Sequence, residues 1–242
     1  DLAGTDKYDE CGFGTFGYSM ILDMAGSNIY TATDCGIGAG LFGVGMIVNL
    51  DGGNSYNMRA FGEGAGTCGF GVLCDMGGKG SFKSYQLSQG YGGHRGCGLL
   101  LNMGGNNDYD ANDTDIKYPS AQTDKHNANL SQGCGFGRRA DFGDGHSLAG
   151  GVGIMVTDGK NNSYSAGLFA QGAAYWYSLG LLVDGGDSKY KGLWYVQGSA
   201  VHYAVSELLN MNGNCSYESS AQSTGHGKDH SVGMLHNLGG NN

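Results

Sequence analysis

The sequence predicts an all-β protein, a single-domain parallel β-solenoid of about nine coils across residues 1–242. Three observations carry that expectation. An aromatic residue returns at a nearly fixed interval, a short apolar stretch returns with it, and 49 glycines stand against a single proline, Pro119. Glycine at this level without a Gly-X-Y period excludes collagen, and 15 tyrosines among many Leu, Val and Met residues argue for a packed core over disorder.

The returning aromatics are Tyr8, Tyr30, Tyr56, Phe82, Tyr109, Tyr164, Tyr190 and Tyr217, separated by 22, 26, 26, 27, 55, 26 and 27 residues. One unit of about 26 residues therefore stacks on itself, and the 55-residue step contains an insertion. Stacked coils place these rings in a column roughly 4.8 Å apart, giving a rod on the order of 43 Å long.

The strand of each coil is the apolar stretch: "YSMILD", "VGMIVN", "FGVLCD", "CGLLLN", "VGIMVT", "LGLLVD", "VSELLN" and "VGMLHN". Each is too short for a helix and is bounded by glycine. On one face, Ser19, Gly45, Gly71, Gly98, Gly153, Gly180, Ser206 and Gly233 allow close approach, with Ile21, Ile47, Leu73, Leu100, Met155, Leu182, Leu208 and Leu235 beside them. The opposite face, from Tyr18, Met20 and Leu22 onward, is also apolar apart from Glu207 and His236. Such a strand is expected to be buried on both sides, under a second layer of the coil, another chain or a bound surface.

The bend follows the strand. Asp23, Asn49, Asp75, Asn102, Thr157, Asp184, Asn210 and Asn237 form a polar column there, suited to bonding the turn backbone and one another. The glycines after them supply φ values that other residues resist. A second polar column, Glu63, Gln89, Gln132, Gln171 and Gln197, fits a glutamine ladder.

The stretch from Gln171 to Tyr190 resembles Gly-rich repeats of uncharacterised bacterial secreted proteins within the parallel β-solenoids, and the resemblance covers nearly the whole chain. It implies fold and export but no activity. "GGKGSF" from Gly77 and "GGNNDY" from Gly104 resemble calcium-binding nonapeptide repeats, yet the 26-residue period departs from the nine those repeats need. Ca²⁺ is carried only as an alternative to a chain without cofactors.

Function is sought in what the repeat leaves over. Tyr175, Trp176, Tyr177, Trp194, Tyr195 and Tyr203 crowd two neighbouring coils, and rings beside Asp, Asn and Gln suit a polysaccharide, against the alternative of corner packing. Two insertions, at about 110–131 and 138–150, concentrate charge, and Asp141, Asp144 and His146 are candidate metal ligands. No nucleophile or acid–base pair stands at a diagnostic spacing, so no catalytic residue is assigned and a conventional enzyme is not expected.

A formal net charge of −9 with 13 scattered basic residues excludes a nucleic-acid footprint, and no apolar run is long enough for a membrane-spanning helix. Seven cysteines without CxxC spacing read as small buried hydrophobes. Sequons at Asn112, Asn129, Asn161 and Asn214 favour an extracellular or cell-surface location. The leading expectation is a structural or adhesive protein that self-associates, head to tail into filaments. The alternatives are a polysaccharide-binding module or a β-helix polysaccharide-degrading enzyme. Ice binding is disfavoured by the lack of a regular Thr-x-Thr array.

Overall fold

The computed structural model describes residues 1–140 and 143–242 and shows a parallel β-solenoid of about nine turns with no helix among them. No helix is therefore long and apolar enough to cross a membrane. Three parallel sheets run along the rod, with the core inside the coil.

The first sheet carries the aromatic column on eight strands: Lys7–Asp9, Ile29–Asp34, Ser55–Ala60, Ser81–Ser84, Asp108–Ala111, Asn161–Ser165, Asp187–Lys191 and Ser216–Glu218. Pairing is in register, so Tyr30 faces Tyr56 and Tyr109 faces Tyr164 across the 55-residue step. Ring centroids along the column lie 4.7 to 5.0 Å apart, the spacing of the strands themselves. Each stacked pair contributes about 0.5–1.5 kcal/mol beyond the area it buries.

The second sheet contains the apolar stretches, Tyr18–Asp23, Val44–Asn49, Phe70–Asp75, Cys97–Met103, Val152–Asp158, Leu179–Asp184, Val205–Asn210 and Val232–Asn237. Its inward residues Ile47, Leu73, Leu100, Met155, Leu182 and Leu208 are fully buried against the aromatic column. The glycine column is required by the third wall of the coil: a Cβ at Gly98 would lie 2.0 Å from the Tyr91 carbonyl oxygen. That third wall consists of Phe13–Thr15, Ala39–Leu41 and Gly66–Thr67, then Gly135–Phe136, Ala174–Tyr175, Ala200–Val201 and Gly227–Lys228, bridged through Gly92.

Of the covers expected for the apolar strands, the second layer of the coil is the one corrected. The coil is a single layer, and among the described residues no segment crosses over the second sheet. Its outward side chains stay half-buried or exposed, with Tyr18 at 91% and Phe70 at 59%.

The polar columns are both present: the bend column bonds the turn backbone and its own members as expected, Asn210 to the Gly186 carbonyl at 3.0 Å and Thr157 to Asp184 at 2.9 Å, and the glutamine column has other partners than a ladder. The bend column is buried and meets the tyrosine hydroxyls. Tyr8 donates to Asp23 at 2.7 Å, Tyr30 to Asn49 at 2.7 Å, Tyr56 to Asp75 at 3.0 Å and Tyr190 to Asp184 at 2.6 Å. The glutamines do not form a chain of amides. Each reaches across the coil to backbone carbonyls of the first sheet, as Gln132 does to Tyr109 and Ser165, both at 3.0 Å. The ladder that does run from coil to coil is made by asparagines of the glycine turn. Asn28 N–H donates to Asn54 Oδ1 at 2.9 Å and Gly80 N–H to Asn107 Oδ1 at 2.8 Å.

Buried acids stand in both columns, Asp23, Asp75 and Asp184 at the bend and Glu63 among the glutamines. Desolvation pushes the Glu63 carboxyl up to about 8 and that of Asp75 up to about 6. All seven cysteines are free thiols, with Cys134 and Cys215 buried.

Candidate functional site

The corner between the third wall and the second sheet is where the molecule projects rings outward. Counting two residues back from the paired residues Tyr18, Val44, Phe70, Cys97, Val152, Leu179, Val205 and Val232 gives one position per coil. Its occupants are Phe16, Phe42, Cys68, Arg95, Gly150, Tyr177, Tyr203 and His230. All except Gly150 have φ between 48° and 60°. The left-handed turn strains a side-chain-bearing residue, and the strain is compensated by the ladder on either side. It also aims successive side chains in one direction, so rings stack: Phe16 on Phe42 at 5.1 Å, Tyr177 on Tyr203 at 5.0 Å, and Tyr203 on His230 at 5.1 Å.

The structure divides the six aromatic candidates into two groups. Tyr175, Trp194 and Tyr195 are half-buried and pack against the second core cluster, Tyr175 over Phe136 and Tyr195 over Phe169, both at 4.8 Å. Burial raises the Tyr195 hydroxyl above its ordinary pKa. Trp176, Tyr177 and Tyr203 form the outward group. The Trp176 ring stands perpendicular to Tyr177 at 5.1 Å and lies 5.6 Å from the Arg139 guanidinium. Stacking covers ring faces, so a flat sugar finds an uncovered face only where the column is interrupted.

The insertions fold back on the rod as two small hairpins. Pro119–Ser120 pairs antiparallel with Thr123–Asn127, and Arg138 bridges Leu148. Their charges bond one another. His126 Nδ1 lies 2.6 Å from Asp113 Oδ2, and Arg138 Nη2 lies 3.1 Å from Asp144 Oδ1. The Arg138 hydrogen bond holds the Asp144 carboxyl below the usual carboxylate range. Of the proposed metal ligands, Asp141 lies outside the described residues, Asp144 is engaged by Arg138, and His146 donates its backbone N–H to Asp144 at 3.0 Å. Among the described residues no three or more His, Cys, Asp or Glu converge as a metal site.

Between the insertions and the third wall lies a cleft of about 440 Å³, bordered by Tyr91, His94, Gln122, Arg138, Arg139 and Tyr175. A second, shallower cleft of about 530 Å³ lies on the ring column itself, between Arg95 and Tyr177. Sequence reasoning missed this one. Its signal is a substitution pattern, arginine and glycine following Cys68 at a position where the five remaining coils carry rings, and it is visible only after the coils are aligned.

No protein-family model, no curated protein and no solved structure matches the chain.

Proposed function

We propose that the protein works outside the cell as a structural, self-associating scaffold, and that two copies meet through the outer face of the second sheet. The observation that carries this reading is the composition of that face. Three columns face outward on eight strands, beginning at Tyr18, Met20 and Leu22, and every occupant is apolar or cysteine except Glu207 and His236. Those two bond each other, with His236 Nδ1 2.7 Å from Glu207 Oε1.

Eight strands at roughly 4.8 Å and six residues at roughly 3.3 Å give a face on the order of 700 Å². A standard protein interface needs about 800 Å² from each partner, whereas the largest apolar patch of a typical monomer is about 300–600 Å². A flat sheet with regular columns is complementary to itself by a two-fold rotation, which forms a closed pair with no protruding partner pocket required.

Light scattering coupled to size exclusion tests the reading. The wild type should elute at twice 25.1 kDa and the Leu99→Lys/Ile154→Lys variant at 25.1 kDa, since both positions are partly exposed and accept lysine in the single chain. A monomeric wild type at millimolar concentration overturns the proposal. Filaments that persist in the lysine variant, seen by electron microscopy, would assign assembly to end-to-end stacking instead.

A further inference from the structure

The corner column of rings is interrupted over the three coils of Cys68, Arg95 and Gly150, and at its Gly150 end the interruption opens a face of Tyr177. Arg95, Gly150, Tyr177 and Tyr203 occupy the same position in four successive coils, because Cys97 pairs with Val152, Val152 with Leu179 and Leu179 with Val205. Tyr203 covers one face of Tyr177 at 5.0 Å and an interplanar angle of 5°. The next coil on the other side contributes Gly150, which brings no side chain to the column. Beyond it stands Arg95, at φ 49° against 48° for Tyr177, so the two side chains leave the backbone in the same direction.

The gap has the thickness of one ring. Two strand spacings separate the Arg95 and Tyr177 positions, roughly 10 Å, which leaves a ring between them the usual stacking distance from each. Trp176 does not fill it. A ring on the far face of Tyr177 would lie about 10 Å from Tyr203, and Trp176 is 6.2 Å from Tyr203, so it stands beside the stack. Nor can the chain fill it at low cost: a Cβ on Gly150 would lie 2.6 Å from Ser178 Cβ and 2.8 Å from the Gly137 nitrogen. The cleft of about 530 Å³ coincides with this gap, and its floor is the backbone of Gly96, Gly150 and Gly151.

Its chemistry selects the ligand. Tyr177 is 53% exposed and offers a flat π-face, which takes the C–H face of a pyranose. Arg95 is exposed and has no ion-pair partner among the described residues, in a chain of net charge −9, so an anionic oxygen group can dock on its guanidinium. The Gly96, Gly150 and Gly151 carbonyls are already engaged by the Val152, Arg95 and Leu179 N–H groups of neighbouring coils, so the floor contributes room and recognition rests on Tyr177 and Arg95. We propose that this gap is a binding site for a pyranose carrying an anionic substituent, its ring stacked on Tyr177 and its carboxylate or sulfate on Arg95. This site is independent of the sheet-face association proposed above.

The test is an amide-shift titration of the ¹⁵N-labelled full chain. The probes are trigalacturonate, a sulfated galactose trisaccharide, neutral galactotriose and benzoate, each taken to millimolar concentration. Either anionic trisaccharide should move the Gly96, Gly150 and Gly151 amides, and the tighter of the two identifies the substituent. Tyr177→Ala should weaken that binding about tenfold or more and Tyr177→Phe should keep it, while Arg95→Gln should remove about a tenfold preference over galactotriose. The Leu99→Lys/Ile154→Lys variant should bind as the wild type does, which separates this site from self-association. Three results would overturn the proposal: no shift at these amides with either anion, unchanged affinity in Tyr177→Ala, or benzoate binding as tightly as the trisaccharides.

Discussion

Replacing Glu63 by glutamine should stabilise the protein at neutral pH and flatten its pH dependence. Glu63 occupies the column otherwise held by Gln89, Gln132, Gln171 and Gln197, it is fully buried, and burial pushes its carboxyl from 4.5 to about 8. A carboxyl whose pKa is higher in the folded chain favours folding below 4.5, where both states are protonated, and loses that advantage as pH rises toward 8. Each pH unit inside the window costs about 1.4 kcal/mol, so at pH 7 Glu63 withdraws about 3 kcal/mol. For a chain of this length that amounts to about 6–12 °C in melting temperature. Glutamine has nearly the same shape and carries an amide that can reach carbonyls across the coil, as Gln89 reaches Phe82 at 3.3 Å. The assay is near-ultraviolet circular dichroism melting of wild type and Glu63→Gln from pH 4.5 to 8.5. Asp75, raised to about 6, contributes to the lower part of the range, so the interval from 6 to 8 belongs to Glu63. Wild-type and variant melting curves that fall in parallel across that interval would refute the reasoning.

Two further outcomes follow from the close approach of the walls and the burial of particular side chains. Gly98→Ala forces a Cβ to 2.0 Å from the Tyr91 carbonyl oxygen, backbone against backbone, and should cost about 3 kcal/mol or more, read as a lowered urea midpoint. Of the four sequons, Asn129 is fully buried and its amide bonds the Tyr85 carbonyl at 2.8 Å, so folded protein from a glycosylating host should be unmodified there, while exposed Asn161 and Asn214 can carry glycan. Peptide mass mapping that finds glycan on Asn129 in folded material would contradict the placement of that side chain.

The solenoid was legible in the sequence because one physical constraint, in-register stacking, writes itself into every coil. The aromatic interval survives even the 55-residue step, where Tyr109 and Tyr164 remain neighbours. What the sequence did not show is which columns bond to which. Tyr30 and Asn49 are 19 residues apart and meet only because the coil closes, so a one-dimensional alignment shows two columns and not the 2.7 Å bond between them. The left-handed corner was invisible for a different reason. Glycine is the residue expected at positive φ, but here Phe16, Phe42, Tyr177 and Tyr203 take that conformation. The ladder compensates a local cost that propensity alone would forbid.

Repetition also decides where function can be sought. In an ordinary domain a buried Asp beside a tyrosine hydroxyl draws attention as chemistry, whereas here Asp75 with Tyr56 and Asp184 with Tyr190 repeat a contact that Asn49 makes with Tyr30. An interaction that tolerates exchange of carboxylate for amide is structural, because the amide cannot replace a charge or a proton-accepting base. The positions that distinguish one coil from the next carry the information instead. Gly150 leaves a gap beside the ring of Tyr177 at the point where the second insertion rejoins the coil, and Arg95 puts a cation on the far side of that gap. The outer sheet face gives the converse case. Its columns keep their apolar character through changes among Val, Leu, Ile, Met and Phe, which conserves a surface property and not a contact. A contact inside the coil would constrain shape as well, as the inward column does by keeping to Leu or Met in every coil after Ile21 and Ile47. Loose identity at constant polarity is what a flat interface between sheets demands.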